Sequence, residues 1–513
     1  MRRMRTRAVR LLTVAAVAAA TTQAIGTQSH AATGRGRPGV PTVNVALTGS
    51  ATADTAAADH TAAAAIDGNA ASTWCPTGAA GVLTVDLGRT RRLDGFGLTL
   101  LGTGPATVTI ATAAVHGRFR TVRHSVSVAA GTPAWFRAPA TARWLRLSTS
   151  GDACVGEFRA FAAGRPLILG DDLSFAVQEQ AAGAVYTDNG RRALPERILA
   201  DHGANYVRLR LWVDPPAGYS DLQSVLAMAR RAKAAGMRLL LDPHYSDFWA
   251  DPQKQPIPAA WAGQDLPTLA GTVRTYTRDV LNALAAQGTP VDMLQLGNEI
   301  RNGILWPIGQ LDWTAGTGWD ALGTLLRAAA AGARDAHGPA PRLMVHFDQG
   351  GDNAFSRTFY DNIVAQHVPF DVIGLSYYPF FHGTLSQLRT NVDDLATHYD
   401  KDVAIAETQY GWTLDNGDQL GNFLWQESQL IPGYPATPNG QLGFLSDLLS
   451  IMAAVPDHHG AGIYYWQPEW IPGVGWQPGD GTPNDNLTLF DFAGHALPSI
   501  AFANPLSTGF GNL

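Results

Sequence analysis

Two glutamates are placed so that they could do chemistry together. Glu299 in LGNEIRNGILWP and Glu407 in VAIAETQYGW each follow a short apolar run, and 108 positions separate them. Cleavage of a glycosidic bond with retention needs one protonated carboxyl to expel the leaving group and one carboxylate to attack, about 5 to 5.5 Å apart. Neighbouring strand ends can supply that distance. Taken singly, each glutamate could equally be an ordinary surface carboxylate.

The elements that would position these glutamates are short apolar strands alternating with Ala-rich amphipathic helices. Strands are predicted in NYVRLRLW, MRLLLDPHY, DMLQLGNE, RLMVHFD, FDVIGLSYYP, DVAIAETQY and AGIYYWQPEW, with SFAVQEQAAG as a weaker first strand. Eight such units over residues 172–513 favour an α/β fold, a closed (β/α)8 or TIM barrel, over an open sheet. No Gly-rich phosphate loop follows any of these segments, which argues against a dinucleotide-binding fold.

The active site of such a barrel lies at the C-terminal ends of its strands, where polar and aromatic residues collect in this sequence. Arg208 near Glu407 would keep that carboxylate ionised, while burial and the neighbouring anion would raise the pKa of Glu299. Asn298, directly before Glu299, could hold the 2-hydroxyl of the sugar. The other substrate-binding candidates at strand ends are His244, Asp348, Tyr377, Tyr378 and Trp466.

Several of these candidates leave alternatives open. Either Tyr377 or Tyr378 could donate a hydrogen bond to the nucleophile, because strand alternation lets only one of them face the site. Trp306, Trp466 and Trp470 offer flat apolar faces for pyranose rings, although a strand-end Trp is also common as a packing residue. What supports an active site is that all these candidates lie at the C-terminal ends of the predicted barrel strands.

Residues 41–163 show a different pattern, with short strands in GVLTVDLG, LDGFGLTLL, ATVTIAT, ARWLRLST and GEFRAFAA. Strands at this spacing, separated by Gly, Pro and Thr clusters, predict a small antiparallel β-sandwich. AGRPLILGD, near residues 163–171, is predicted to be the junction to the barrel. Cys75 and Cys154 are the two cysteines of the chain. An even pair in an exported protein predicts one disulfide.

Residues 1–31 have the pattern of a secretory signal peptide. MRRMRTRAVR is basic, LLTVAAVAAA is apolar, and small residues follow up to a predicted cut near residue 31. The apolar run is too short to span a bilayer, so we expect a secreted, extracellular protein with no membrane partner. A net charge of −6 and a pI near 6.1 give no electrostatic footprint for nucleic acid. We expect a monomer.

The barrel region resembles glycoside hydrolase family 53, the endo-β-1,4-galactanases. The resemblance rests on VRLRLWVDPPAGYSDL, LLLDPHYSDFWADPQKQPIPAAW, LQLGNEIRNGILWPIG, MVHFDQGG, GLSYYPFFHGTL, IAETQYGW and YYWQPEWIPG, in that order. It implies a retaining (β/α)8 hydrolase with its acid/base after strand 4 and its nucleophile after strand 7. These positions correspond to Glu299 as acid/base and Glu407 as nucleophile.

The N-terminal module resembles a discoidin or coagulation-factor type C domain, close to galactose-binding-like carbohydrate-binding modules. The resemblance rests on AIDGNAASTWCP, GVLTVDLG and ARWLRLSTSGDACVGEFRAF. It implies sugar contacts from variable rim loops and, at Asp67 and Glu157, the residues that hold a structural cation in some relatives. A module of this kind would hold the enzyme near its polymer, and its removal would leave activity on soluble substrate nearly unchanged.

No metal and no other cofactor is required for hydrolysis by two glutamates, and no metal ligands are predicted. Asp415 and Asp418 in TLDNGDQLGNF match poorly the acidic calcium loop that some bacterial members carry after strand 7, so a structural calcium is possible but not predicted. Asp242, His244 and Asp247 could be taken as ligands, but no second histidine motif of ligand spacing accompanies them.

Together these features predict a secreted retaining endo-β-1,4-galactanase that hydrolyses the β-1,4-galactan side chains of pectin. The expected partner is therefore the polysaccharide substrate. A β-glycosidase of the same clan acting on glucan or mannan is the nearest alternative, because one barrel fold hosts many specificities. A binding or adhesion protein without activity is a third hypothesis, which the presence of both glutamates argues against.

Overall fold

The computed structural model of the protein describes residues 40–216, 218–475 and 481–508. The signal peptide predicted for residues 1–31 lies outside the described residues. Nineteen strands and nine α-helices are present in the described part. Among these residues, no helix has both the length and the apolar character needed to cross a membrane.

Eight parallel strands close into a barrel, which confirms the predicted (β/α)8 fold. In order round the barrel they are β8 (Ile168–Asp172), β11 (Tyr206–Leu211), β12 (Arg238–Pro243), β13 (Met293–Gln295), β16 (Arg342–Phe347), β17 (Val372–Ser376), β18 (Asp402–Thr408) and β19 (Gly460–Tyr465). Four short strands lie in the loops, namely β9 (Tyr186–Asp188), β10 (Arg191–Ala193), β14 (Gly303–Ile304) and β15 (Gly309–Gln310).

The helices between these strands cover the outside of the barrel. They are α1 (Ala176–Ala181), α2 (Pro195–Asp201), α3 (Leu222–Ala234), α4 (Leu266–Ala286), α5 (Trp319–Asp335), α6 (Asn353–Ala365), α7 (Pro379–His382), α8 (Leu385–Tyr399) and α9 (Pro438–Ala454). Asp221, Asp265, Asp352, Thr384 and Thr437 each cap a helix by accepting a backbone N–H of its first turn. The barrel interior is filled by a separate apolar cluster that includes Leu240, Met293, Met344 and Tyr464.

The prediction for the first barrel strand was wrong. SFAVQEQAAG does not form a strand, because residues 176–181 within it form helix α1. The first strand is β8, inside the segment predicted to be a junction, and it pairs in parallel with β11 and β19. The run ILGDD is buried at every position. Burial on both faces is typical of a barrel strand, so the barrel begins at residue 168 rather than at 172.

The N-terminal module is the predicted antiparallel β structure. Its strands are β1 (Thr42–Asn44), β2 (Ser50–Ala53), β3 (Ala80–Gly102), β4 (Ala106–Ala113), β5 (Arg120–Val128), β6 (Ala134–Ser150) and β7 (Ala153–Ala163). They pair in the order β1-β7-β3-β6-β4-β5, with β2 beside β3, around one apolar core. The disulfide between Cys75 and Cys154 is present, as predicted. The segments GVLTVDLG and LDGFGLTLL are one continuous strand, β3, bent by two register shifts.

The module is not joined to the barrel as a loose tether. Residues 440–452 of α9 are buried on all sides, because the barrel covers one face of this helix and the module covers another. Arg159 of β7 forms a fully buried ion pair of 2.5 Å with Asp447 of α9. The backbone N–H of Asn44 donates to Ser450 Oγ at 2.9 Å. Module and barrel therefore share one packed interface.

Candidate active site

Glu407 lies near the end of β18, and two side chains hold its carboxylate. Arg208 Nη2 lies 2.8 Å from Oε1, and the Tyr378 hydroxyl donates to Oε2 at 2.9 Å. Burial raises the pKa of Glu407 to about 7, while the Arg208 cation and the Tyr378 hydrogen bond act against a further rise. The carboxylate is therefore fixed in orientation, and its anion is stabilised at both oxygens.

Arg208 is the hub of the buried polar network beneath this carboxylate. Besides Glu407, its guanidinium group donates to Asp172 at 2.7 Å, to Asp242 at 2.8 Å and to the Asn298 side-chain oxygen at 2.8 Å. The side chain is only 1% exposed. One cation thus pairs with three carboxylates from three strand regions of the barrel.

Glu299 stands on a tight turn directly after β13. Its backbone is left-handed, with φ of 46°, a strained conformation that is found most often at functional sites. The Ser376 hydroxyl donates to Glu299 Oε1 at 2.6 Å. Burial, together with the anions of Glu407 and Asp348, raises the pKa of Glu299 well above its ordinary value. Glu299 therefore keeps its proton to a higher pH than an ordinary glutamate does.

His346 connects this turn to Ser376. Its Nδ1 accepts the backbone N–H of Glu299 at 3.3 Å and the side-chain amide of Gln295 at 3.0 Å. Its proton is therefore assigned to Nε2, which lies 2.9 Å from Ser376 Oγ. Burial lowers the pKa of His346 well below its ordinary value, so the ring is neutral. His346 thus orients the Ser376 hydroxyl, which donates its hydrogen bond to Oε1 of Glu299. The other oxygen, Oε2, is left to carry the proton.

The two glutamates come together despite their separation in sequence. One carboxylate oxygen of each, with a ring nitrogen of His346, lies within 4.8 Å of the others. Both carboxylates line a cavity of about 570 Å³. Retaining glycosidases separate their two carboxyl groups by about 5 to 5.5 Å, and inverting ones by about 6.5 to 9.5 Å.

Four other predicted residues line the same cavity, namely His244, Asn298, Asp348 and Trp466. His244 Nδ1 accepts the backbone N–H of Ala250, which assigns the ring proton to Nε2, on the side of Asp242. Asn298 uses one N–H on the carbonyl of Ala250 at 3.0 Å, which leaves its second N–H for a ligand. Asp348 forms an ion pair of 3.2 Å with Arg301, another residue of the cavity wall.

Residues 168–503 match the model of Glycosyl hydrolase family 53. The chain belongs to glycosyl hydrolase family 53. Residues 49–159 match the F5/8 type C domain, the type predicted for the N-terminal module. The protein is therefore a glycoside hydrolase.

Relatives and a solved structure of family 53 cover the barrel. A probable arabinogalactan endo-β-1,4-galactanase A of Aspergillus terreus is 40% identical over 315 residues, which are 60% of this chain and 86% of that protein. The arabinogalactan endo-β-1,4-galactanase of Thermothelomyces thermophilus is 35% identical over 340 residues, which are 65% of this chain and 97% of that protein. The catalytic domain of a family 53 enzyme from Ignisphaera aggregans has 38% identity and a TM-score of 0.63, and covers 66% of this chain and 96% of that one.

Three predicted site residues of this family 53 hydrolase lie elsewhere. Tyr377 points away from the cavity, is fully buried, and donates to the carbonyl of Gly383 at 2.9 Å. Tyr378 is thus the tyrosine that faces the site. Trp306 is not among the residues of the cavity wall, because its indole N–H donates to the carbonyl of Asn302 in its own loop. Trp470 packs behind the wall, with its ring stacked on Phe175.

Sequence reasoning missed the residues that position the glutamates. Ser376, His346 and Gln295 were not predicted, and Asp242 was considered only as a metal ligand. Their common signal is that each is a polar residue near the C-terminal end of an otherwise apolar barrel strand. A polar side chain inside a barrel needs a partner, so such residues are candidates for a network around the catalytic groups.

Exposed aromatic rings extend the cavity of the family 53 hydrolase on one side. Phe381 and Phe423 line the cavity, with ring centres 6.2 Å apart, and are 59% and 44% exposed. Trp425, two residues further, is 62% exposed. Large exposed apolar side chains at a cleft typically mark a binding surface.

The acidic residues considered as metal ligands are engaged by protein donors. Asp418 accepts the backbone N–H groups of Leu420 and Thr482, at 2.8 and 2.7 Å. Asp247 accepts the backbone N–H groups of Asp214 and Ala259. In the described residues, Asp242, His244 and Asp247 therefore form no common ligand cluster.

The possible cation residues of the N-terminal module are also hydrogen bonded. Glu157 accepts the side-chain amide of Asn44 at 3.1 Å and the backbone N–H of Gly68 at 3.0 Å. Asp67 accepts the hydroxyl of Ser72 at 2.6 Å. These carboxylates stabilise the strand and loop that face α9.

Proposed function

We propose that the protein is a secreted, retaining endo-β-1,4-galactanase that acts on the galactan side chains of pectin. The observation that carries the proposal is the pair Glu299 and Glu407, with carboxylate oxygens within 4.8 Å and unequal surroundings. A separation of about 5 to 5.5 Å is typical of retaining glycosidases. Glu407 has a cation and a phenol to stabilise its anion, whereas Glu299 has one hydroxyl.

In the first step, the ionised Glu407 attacks the anomeric carbon while Glu299 gives its proton to the departing glycosidic oxygen. The bond between the anomeric carbon and this oxygen breaks, and a bond to a Glu407 oxygen forms. Ester formation removes the negative charge of Glu407, which raises the pKa of Glu299 in the free enzyme, so the pKa of Glu299 falls once the covalent intermediate has formed.

In the second step, the deprotonated Glu299 takes a proton from a water molecule, which attacks the same carbon from the opposite face. The Glu407 carboxylate leaves and regains its contacts with Arg208 and Tyr378. Two inversions give net retention. The free N–H of Asn298 is placed on the cavity wall, where it could hold the 2-hydroxyl of the bound sugar.

The substrate assignment rests on the family and on the character of the cavity. The relatives named above are arabinogalactan endo-β-1,4-galactanases. The cavity combines aromatic walls, such as Trp249 and Trp466, with polar side chains such as Asn298 and His244. Such a surface suits neutral pyranose rings, which offer apolar faces and hydroxyl groups. Secretion is supported by the signal pattern of residues 1–31 and by the disulfide.

The first test is reducing-sugar release by the mature protein from linear β-1,4-galactan, beside xylan, mannan and cellulose. Glu299→Gln is the blank, because Gln keeps the shape of the side chain but cannot donate the proton. Release of short oligosaccharides from galactan alone, lost in the blank, is the expected result. Activity on mannan or glucan instead would favour a different specificity of the same clan. No hydrolysis of any polymer, with binding retained, would favour the hypothesis of a binding protein.

The stereochemistry is tested by following the first product with proton NMR. Retention gives the β-anomer first, with slow mutarotation afterwards. The appearance of the α-anomer first would show inversion and would contradict the role of Glu407 as nucleophile. Azide added to Glu299→Ala should restore turnover of an aryl β-galactoside, whose phenolate leaves without a proton, and yield a β-glycosyl azide, because a small anion can attack the covalent intermediate without a general base.

A further inference from the structure

The two glutamates divide the cavity into two sides. Round the barrel, β16 and β17 lie between β13, which precedes Glu299, and β18, which contains Glu407. In the other direction β12, β11, β8 and β19 lie between them. We call these the short side and the long side. Residues that line the cavity on the short side include Asp348, Phe380, Phe381 and His382. Those on the long side include Arg208, His244, Trp249 and Trp466.

In the proposed mechanism, the sugar whose anomeric carbon is attacked lies on the long side. Asn298, which could hold the 2-hydroxyl of this sugar, is fixed by the carbonyl of Ala250 and by Arg208, and both residues belong to that side. Cleavage takes place between the two carboxyl groups, so the sugar beyond the scissile bond lies on the short side. The short side is therefore the subsite of the leaving sugar, and this step rests on the proposed function.

Arg301 brings a cation to the short side. It lies two residues after Glu299, in the short helical turn Ile300–Asn302, and its Nη1 is 3.2 Å from Asp348 Oδ2. The side chain lines the cavity and is 26% exposed. Apart from this ion pair, the guanidinium group has no protein acceptor in the described part of the chain, and none of its nitrogens is shut off from solvent. Its N–H groups are therefore available to a ligand in the cavity.

The other two arginines of the cavity wall are fixed parts of the barrel interior. Arg208 is 1% exposed, and its donors bind the carboxylates and the amide oxygen described above. Arg210 is 2% exposed, donates to Ser220 Oγ at 3.0 Å, and packs with its guanidinium 4.0 Å from the ring centre of Trp249. Among the arginines that line the described cavity, Arg301 is thus the one with accessible donors left for a substrate.

Asp348 holds the Arg301 guanidinium in place. It comes directly after β16 and is 5% exposed. Gln349 Nε2 donates to Asp348 Oδ2 at 2.7 Å, and this is the oxygen that faces Arg301. A buried carboxylate with a second partner keeps its orientation, so the cation beside it is positioned before a sugar binds. Less side-chain entropy is then lost on binding.

We propose that Arg301 binds the leaving sugar, by donating to a hydroxyl at carbon 3 or carbon 6 of that ring, and that Asp348 is the residue that positions Arg301. Glu299 must reach the glycosidic oxygen at carbon 4, and Arg301 stands two residues away on the same turn. The hydroxyls that flank this oxygen are those at carbons 3 and 6, so they are the first that Arg301 can meet. Phe380 and Phe381 line the same side and offer apolar surface to the ring.

The same subsite receives an acceptor sugar when the covalent intermediate breaks down. The 4-hydroxyl of the acceptor attacks the anomeric carbon, Glu299 takes the proton of this hydroxyl, and the bond to the Glu407 oxygen breaks. Water competes for the same intermediate and uses the same base. The ratio of sugar transfer to hydrolysis therefore reports binding of the acceptor, and a change in the pKa of Glu299 affects both reactions alike.

The test measures this ratio in the full mature chain, with p-nitrophenyl β-1,4-galactobioside as donor and methyl β-galactoside as acceptor below saturation. Arg301→Gln should lower the ratio of transfer to hydrolysis by about tenfold or more, as the loss of a charge-assisted hydrogen bond predicts. The matched control is Arg357→Gln, because Arg357 is 29% exposed and pairs with Asp394 on the outside of the barrel. It should change the ratio less than twofold.

Deoxy acceptors identify the hydroxyl that Arg301 contacts. In the native chain, either the 3-deoxy or the 6-deoxy acceptor should be transferred about tenfold less than methyl β-galactoside. This difference should vanish in Arg301→Gln, because the contact is already lost there. Asp348→Asn should reduce the difference several-fold, since Arg301 is no longer held by an anion. No transfer by the native chain, no loss with either deoxy acceptor, or a loss that persists in Arg301→Gln would each overturn the proposal.

The outcomes for Arg301 and for the proposed function can be told apart. If the native chain cleaves galactan with retention but Arg301→Gln keeps the native ratio of transfer to hydrolysis, the inference about Arg301 fails alone. If the native chain cleaves neither galactan nor the galactobioside, the proposed function fails, and the inference fails with it. A thermal unfolding curve of Arg301→Gln that matches the native curve excludes misfolding as the cause of a lower ratio.

Discussion

Arg208 Nη2 lies 2.8 Å from Glu407 Oε1, and the same guanidinium group also pairs with Asp172 and Asp242. One buried cation is thus shared among three carboxylates. This sharing explains why burial still raises the pKa of Glu407 to about 7 although Arg208 touches it. The affinity of Glu407 for its proton depends on how firmly Arg208 is held.

We predict that Arg208→Lys lowers kcat/KM on galactan by at least about 100-fold. Lysine keeps a positive charge but cannot donate to Glu407, Asp172 and Asp242 in a fixed fork. The pKa of Glu407 should rise, so the acid limb of the pH profile of kcat/KM should move to higher pH. The profile and a thermal unfolding curve check this result. An unchanged acid limb with lower stability would show that Arg208 is only structural.

The two adjacent tyrosines allow a matched comparison. Tyr378→Phe removes a hydrogen bond that favours the ionised form of Glu407, so the pKa of Glu407 should rise and kcat should fall by about 10- to 100-fold. Tyr377→Phe removes a hydrogen bond to the carbonyl of Gly383 and should lower stability by about 1 kcal/mol without moving the pH profile. Equal kinetic effects in the two variants would contradict the placement of Tyr378.

Ser376 provides a test of the acid/base residue. Its hydrogen bond favours the ionised form of Glu299, so Ser376→Ala should raise the pKa of Glu299 further and move the alkaline limb of the kcat/KM profile to higher pH. We expect a fall of about tenfold in kcat, because the carboxyl loses one of its positioning contacts. Ser356→Ala, a buried serine outside the site, is the control. A shift of the acid limb instead would show that Ser376 acts on the pKa of the nucleophile, Glu407, rather than on that of Glu299.

The sequence was most informative about the barrel strands and the two glutamates. Apolar runs that end in polar residues identified seven of the strands, because buried parallel strands read as continuous apolar segments. β8 was missed because ILGDD is short and ends in two aspartates, which resemble a loop. The contacts of Ser376 and His346 depend on how neighbouring strands align, and that alignment is not visible in any local pattern.

Aromatic residues were predicted less well than charged ones. Trp306 and Trp466 look alike in sequence, yet only Trp466 lines the cavity. The direction of a loop side chain is set by the local hydrogen bonds of that loop, as the bond from Trp306 to Asn302 illustrates. In α9, by contrast, the signal was present: GQLGFLSDLLSIM carries apolar residues around most of the helix, which is typical of a helix covered on more than one side.

The interface at α9 leads to a prediction about stability. Asp447→Asn should lower the free energy of unfolding by about 3 to 5 kcal/mol, because it leaves the Arg159 cation buried without its anion. Asp335→Asn, in the exposed pair with Arg274, should cost less than about 1 kcal/mol. Urea unfolding of the two variants measures both values. A small effect of Asp447→Asn would mean that water reaches this pair.

The same interface predicts that the barrel does not tolerate loss of the module. Removal of residues up to 163 would expose the apolar face of α9 and leave Asp447 unpaired, so we expect aggregation or a lower melting temperature rather than an unchanged enzyme. Native protein should unfold in a single transition. A truncated barrel with native stability and activity would show that the two parts fold independently.

The exposed rings beside the cavity predict how the enzyme handles long chains. Phe423→Ala and Trp425→Ala should each remove a stacking surface, at a cost of about 1 kcal/mol in binding of a distant sugar residue. Activity on polymer should therefore fall several-fold through KM, while activity on a short oligosaccharide that does not reach these rings stays unchanged. Val364→Ala, an exposed apolar side chain on α6, is the control. Loss of kcat on the short substrate would mean instead that the rings support the loop around Glu407.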